Sequence, residues 1–174
     1  MRMTVITVGG MVGAGKSTLA KMLAEKLGFN YISAGQIFRE EAAKRGMTIQ
    51  EFMKVAPESL HRNVDRMVAE RVRSGNWVVD SRLGAFFVKN ADLRVFLTAP
   101  VDVRAERVAE RDGVPLKEAV QIVKTRDETD RENYRRIYGI DYLDIRAYDL
   151  VLNTALFEKD GVLEVVEHVL EQVS

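Results

Sequence analysis

One segment, Gly10-Met11-Val12-Gly13-Ala14-Gly15-Lys16-Ser17, limits the folds open to this chain more than any other. It satisfies the phosphate-binding pattern G-x-x-x-x-G-K-[ST] at every position, and its flanks suit the pattern. Residues 3–8 before it form a short apolar, β-branched run of the kind that makes a buried strand. After it, Leu19, Leu23 and Leu27 share one helical face and Gly28 supplies a stop. A strand that turns into a helix through glycines points backbone N–H groups and the positive end of the helix dipole at one place. The expected anion contacts therefore run from Gly10, Met11, Val12, Gly13, Ala14 and Gly15 through Lys16, Ser17 and Thr18. Lys16 is expected on the β- and γ-phosphates and Ser17 on Mg²⁺.

The rest of the chain must supply a sheet and its covering helices. Strand candidates fall at 3–8, 30–32, 77–80, 93–97 and 149–152, with helical patterns between them. That alternation predicts an α/β fold, a doubly wound parallel sheet of five strands. Ser33 with Gln36 and Thr48 with Glu51 have capping-box spacing, and Pro57 and Pro115 suit first helical turns. Residues 34–74 and 112–147 exceed what a crossover needs. The second is highly charged, with little continuous apolar face. Both are expected to project from one domain spanning 1–174, the first as an acceptor-binding insertion and the second as a helical lid.

Composition removes several chemistries. The chain has no cysteine and two histidines, so thiolate zinc sites, cysteine nucleophiles and multi-histidine metal centres do not apply. Lys plus Arg equals Asp plus Glu at 26 each, which gives no reason to expect nucleic-acid or anionic-membrane binding. No secretory signal and no apolar run long enough to cross a membrane is visible, so a soluble cytoplasmic protein is expected, a monomer or a weak homodimer.

Further candidates lie where strands end. Asp80 closes an apolar strand at the sheet edge that faces the ligand crevice, where an acid can hold the Mg²⁺ shell. Arg82 and Arg39 follow two strand ends and suit bidentate grip of a phosphate. The arginine-rich stretch 104–146 reads mainly as a solvated helix, with a few arginines able to meet transferring phosphate; Asp130 is placed to orient Arg126 or Arg131. Trp77, Phe86, Phe87 and Phe96 read as core, and His61 as a surface histidine.

Taken together, Ser33-Ala34-Gly35-Gln36-Ile37-Phe38-Arg39, Asp80-Ser81-Arg82-Leu83-Gly84, Asn90-Ala91-Asp92-Leu93, Tyr138-Gly139-Ile140-Asp141 and Tyr148-Asp149-Leu150-Val151 carry a resemblance over residues 3–153. The chain resembles the short archaeal-type branch of the cytidylate kinases, within the P-loop nucleoside monophosphate kinases. The resemblance implies transfer of phosphate from ATP, with Mg²⁺, to CMP and usually dCMP. It places Arg39 and Arg82 at the acceptor phosphate and Arg126 and Asp130 in the lid. The chain departs from the pattern at Ser81, where a glycine is expected, and at Leu83, where bacterial members have an aspartate. It departs again at Asn133, where a lid arginine is expected and Arg131 or Arg135 takes its place. Polar contacts to the base then fall to other positions, Arg66 or Asp65. The competing expectations are another acceptor (AMP, UMP or dephospho-coenzyme A), a regulatory ATPase, or an RNA-linked ATPase.

Overall fold

The computed structural model describes residues 3–173. Five parallel strands form one sheet: β1 (Val5–Gly10), β2 (Asn30–Ser33), β3 (Trp77–Asp80), β4 (Leu93–Thr98) and β5 (Leu150–Asn153), in the order β2-β3-β1-β4-β5. The five expected strands are all present. β1 begins and ends two residues later than the apolar run suggests, because its register with β4 carries Gly10 opposite Leu97. Hydrogen bonding rather than side-chain character sets that end.

Alternation along the strands divides the core in two. Ile6, Val8, Val78, Val95 and Leu97 pack under α1 (Lys16–Leu27) and α8 (Lys159–Val173), against Leu19, Leu23, Val162 and Val166. Val5 and Val79 point the other way, under α2 (Ala34–Lys44), α3 (Ile49–Val55) and α4 (Glu58–Arg71). Residues 34–74 therefore do not project: Phe38, Ala42, Phe52, Val64 and Val68 make them the cover of this face. The Thr48–Glu51 capping box is complete, whereas Ser33 accepts from the Gln36 N–H and Gln36 turns its amide to Glu40. Pro57 and Pro115 each stand one residue ahead of their helix.

Past the short α5 (Gly84–Phe87) and β4, α6 (Val101–Asp112) and α7 (Leu116–Tyr138) form a hairpin with its own core of Val12, Ala105, Val108, Ala119 and Val123. The lower half of α7 rests on an aromatic cluster of Phe96, Tyr134, Tyr142 and Tyr148, joined by a 2.7 Å bond from the Tyr148 hydroxyl to the Tyr142 carbonyl. This corrects the expectation of a solvated helix in the arginine-rich stretch 104–146. The buried stripe is continuous, Ala119, Val123, Arg126, Asp130, Asn133, Tyr134 and Ile137, but three of its members are polar. Hydrophobic periodicity does not register such a stripe.

The order β3-β1-β4 puts the sheet's switch point at β1, so a crevice opens above Gly10. Gly10 has φ 143°, and a Cβ there would lie 2.2 Å from the Leu97 carbonyl oxygen. No rotamer relieves a clash with backbone. Gly10→Ala is expected to destabilise the protein by at least about 2 kcal/mol, the cost of strained backbone plus lost pairing, read as a lower urea midpoint with unchanged slope.

Candidate active site

The glycine-rich turn delivers Lys16 as the first residue of α1. Its Nζ curls back to donate to the Met11 carbonyl at 3.1 Å. Gly15 precedes the helix with φ 97° and has no side chain to cap it, so the first-turn N–H groups are left for a ligand. Burial, and next the positive charge of Arg82, push Lys16 down to about 7, against Asp80, Asp130 and Asp127, which hold it up. Two cations share a desolvated place that an anion would fill.

The loop is braced from behind. Arg104 is 2% exposed and donates to the Ala99 carbonyl at 2.8 Å, the Val12 carbonyl at 2.9 Å and Asp127 at 2.6 Å. Asp127 in turn accepts the Val12 N–H at 3.1 Å, so that loop amide is engaged by protein rather than turned to the crevice. Arg107 bonds the side chain and carbonyl of Thr154, and Thr154 donates to the Ala14 carbonyl at 3.0 Å. The sequence placed Arg104 and Arg107 in a charged run without distinguishing them. Their signal is the spacing behind Pro100, which starts α6 at the crevice edge of β4.

Two cavities flank the loop. One, of about 650 Å³, lies between Gly13–Thr18 and Arg107, Arg111, Thr154 and Phe157. The other, of about 570 Å³, is lined by the same Lys16, Ser17 and Thr18, by Arg39, Arg82 and Arg126, and by Phe38, His61 and Asp65. Gly13 and Arg111 also border both. A molecule in either cavity would touch the loop from its own side.

Asp80 lies at the junction. Its Oδ2 accepts from the hydroxyls of Ser17 at 2.6 Å, Tyr31 at 3.0 Å and Ser33 at 3.2 Å. Burial, and then the charge of Asp80, push the Tyr31 phenol up to about 12. Among the described residues there is no cluster of three or more metal-ligating side chains. Ser17 and Asp80 thus offer two oxygens side by side, which fits Mg²⁺ held through few protein ligands plus phosphate oxygens and water.

Asp130, fully buried, stands behind the second cavity between Arg82 at 3.3 Å and Arg126 at 3.4 Å. The contacts are long and incomplete: Arg82 Nε, Arg126 Nε and Asp130 Oδ1 are buried without partners among the described residues. Burial opposes the Arg82 charge, but Asp130, together with Tyr134, Tyr142 and Asp127, more than offsets it, so the guanidinium stays protonated. Charged donors in this condition have capacity left for an incoming phosphate.

The structure thus brings Lys16, Ser17, Thr18, Asp80, Arg39, Arg82 and Arg126 together, with Asp130 behind them. Arg131 does not join them. It turns away to Asp141, at 2.6 and 3.1 Å, as does Arg135 at 2.6 Å. Of the two expected base contacts, Asp65 lines the cavity, while Arg66 is exposed and bonds Asn63. His61, expected at the surface, is 1% exposed and packs against Phe38 at 4.9 Å, because the face of α4 that carries Val64 and Val68 carries it too. The four aromatic residues expected in the core pack there, Phe96 fully and the others in part.

A parallel sheet with a phosphate loop at its switch point, and two cavities meeting there, defines a P-loop phosphotransferase. The comparisons sharpen that class. A cytidylate kinase-like family model matches residues 5–75 and 56–156. A cytidylate kinase from Pyrococcus furiosus is 44% identical over 172 residues, covering 97% of this chain and 89% of that protein. One from Ignicoccus hospitalis is 40% identical over 172 residues, covering 97% and 99%. Among solved structures, a gluconokinase from Sinorhizobium meliloti superposes with a TM-score of 0.64 at 19% identity, covering 98% of this chain and 94% of that one. Shikimate kinase from Acinetobacter baumannii in complex with shikimate gives 0.62 at 18% identity, with the same coverages. Those two likenesses concern the fold. The chain belongs to the cytidylate kinase-like family.

The Arg131–Asp141–Arg135 cluster sets a pH test. The Arg131 hydrogen bonds, with the Leu143 N–H and Arg135, hold the Asp141 carboxyl down at about 2, against 3.8 ordinarily. A depressed folded-state value gives stability that is present above the unfolded value and is lost as pH falls through the folded one. Asp141→Asn is expected to cost under about 1 kcal/mol at pH 7, the pairs being partly exposed. The difference from the unsubstituted protein should close between about pH 4 and pH 2, as read by urea unfolding at each pH.

Proposed function

We propose that the chain transfers the γ-phosphoryl group of ATP to CMP, and also to dCMP, giving ADP and the nucleoside diphosphate. The observation that carries this reading is the pair of cavities that share Lys16, Ser17 and Thr18. A hydrolase needs room for one nucleotide and a water, whereas this crevice has a second chamber lined by arginines. Family membership supplies the acceptor.

In this reading ATP occupies the cavity beside Arg107 and Thr154, with its phosphates on the loop, and the acceptor phosphate meets Arg39 and Arg82. Ser17 and Asp80 would hold Mg²⁺, which supplies charge neutralisation on the phosphates when bound. Lys16 and Arg126 stabilise charge on the transferring group, and transfer is direct and in line, with no phosphoenzyme. No general base is needed, since a monophosphate is already anionic near neutral pH. Residues 112–147 act as the lid that excludes water, and residues 34–74 as the acceptor-binding part.

An acceptor panel with coupled detection of ADP tests this. CMP and dCMP are expected to give the highest kcat/KM. Lys16→Ala should lower kcat at least about 100-fold, the scale for losing one preorganised charge stabiliser, in a protein of unchanged circular dichroism. AMP equal to CMP would reassign the acceptor, and equal ADP release without any acceptor would replace the kinase by a hydrolase. For the lid, amide exchange over 112–147 should slow when ATP and CMP are both present, and identical exchange with and without them would remove that assignment.

A further inference from the structure

The second cavity holds polar groups that the phosphate chemistry leaves unused. His61 and Asp65 are four residues apart on α4, so they present to the same side. Both are buried and both line the cavity, as does the Phe38 ring packed beside His61. The His61 Nε2 is buried with no hydrogen-bond partner among the described residues. Leaving such a group unpaired costs about 1–3 kcal/mol, so the atom calls for a ligand. Asp65 is engaged on one oxygen, where the Tyr138 hydroxyl donates to Oδ2 at 2.5 Å. Its other oxygen remains an acceptor. Arg39 and Arg82 line the same cavity. A ligand filling it meets two guanidinium groups and this polar pair, which suits an anion joined to a flat polar edge.

We infer that His61 and Asp65 read the edge of the acceptor base, Asp65 accepting from an exocyclic amine and His61 Nε2–H donating to the adjacent ring nitrogen, so that they select an amino-pyrimidine over an oxo-pyrimidine. This rests on the acceptor reading given above and names the residues that enforce it. Cytosine offers N4–H₂ beside N3 and matches both groups. Uracil inverts both, with O4 in place of the amine and N3–H in place of the acceptor. The charge states agree. Burial holds the His61 imidazole below the usual histidine range, so it is neutral and carries one N–H. Burial pushes the Asp65 carboxyl up to about 6, the Tyr138 bond working against that, so near pH 7.5 it is a carboxylate that accepts and cannot donate. Adenine repeats the amine-beside-nitrogen pattern, so the pair separates CMP from UMP rather than CMP from AMP. Leu83, which also lines the cavity, has no polar side-chain atom to share the task.

The test is the ratio of kcat/KM for CMP to that for UMP, measured on the full chain at saturating ATP. Asp65→Asn replaces a pure acceptor by an amide that can turn either way, N–H toward O4 and C=O toward N3–H. UMP use should rise and the CMP/UMP ratio should fall at least about tenfold, because a site that pairs polar edges discriminates strongly. His61→Phe keeps a ring against Phe38 and removes the donor. It should raise KM for CMP about tenfold with little change in kcat, and lower the same ratio. In both variants KM for ATP should stay unchanged, which a general loosening of the fold would not allow. A ratio unchanged in a folded Asp65→Asn overturns the inference; should that variant not fold, an unchanged ratio in His61→Phe overturns it. If the unsubstituted protein does not phosphorylate CMP, the functional reading fails instead, and the two failures are distinguishable.

Discussion

A site for polyphosphate must hold positive charge together before the anion arrives, and this requirement governs the molecule. Lys16, Arg82 and Arg126 converge on one crevice with too few partners to satisfy them. Without compensation they would repel each other and the fold. The compensation is arranged behind the crevice rather than in it. Asp130 is buried between Arg82 and Arg126, and Asp127 sits beyond the loop with Arg104. Carboxylates so placed lower the cost of assembling the cations without occupying the phosphate position. Lys16 shows the residual tension: even with three carboxylates pulling it up, burial and Arg82 hold it near 7.

The sheet makes this arrangement possible at low conformational cost. Parallel strands end together on one edge, so residues far apart in sequence arrive side by side: Gly10 from β1, Ser33 from β2, Asp80 from β3. Three hydroxyls then close on the Asp80 carboxylate and fix its rotamer. Arg104 does the same for the loop. A buried arginine is costly unless its donors are paired, and here two backbone carbonyls and one carboxylate pair it. The charge that would be a liability elsewhere becomes the brace of the turn.

Legibility from sequence followed the range of the interactions. The phosphate loop was readable because strand, glycines, lysine and helix act over a few adjacent residues, and the central strands β1 and β3 because parallel burial leaves apolar runs. Gly28 marks the end of α1 with positive φ, and that stop was visible too. What escaped were helices whose inward stripe is partly polar. In α7 the inward residues include Arg126, Asp130 and Asn133, so it read as solvated, and in α4 they include His61, which read as a surface residue. A polar residue on a core stripe is itself a site signal once the helix phase is known. Arg131 went the other way: its spacing matched a site residue, and one carboxylate ten residues on, Asp141, claimed it.

Helix α7 joins these themes, because it serves two places at once. Arg126 enters the second cavity from it with Asp130 behind, and Asp127, the next residue after Arg126, accepts the Val12 N–H of the phosphate loop. The helix is 23 residues long without interruption, so these contacts cannot shift independently. Any displacement of α7 withdraws an arginine from the cavity and moves the carboxylate that orients it. It also returns one N–H to the loop. The α6–α7 core of Ala105, Val108, Ala119 and Val123 would travel with the helix, because it belongs to the hairpin rather than to the sheet. The second cavity and the phosphate loop are therefore joined through one rigid element, by the geometry of adjacent residues on a helix.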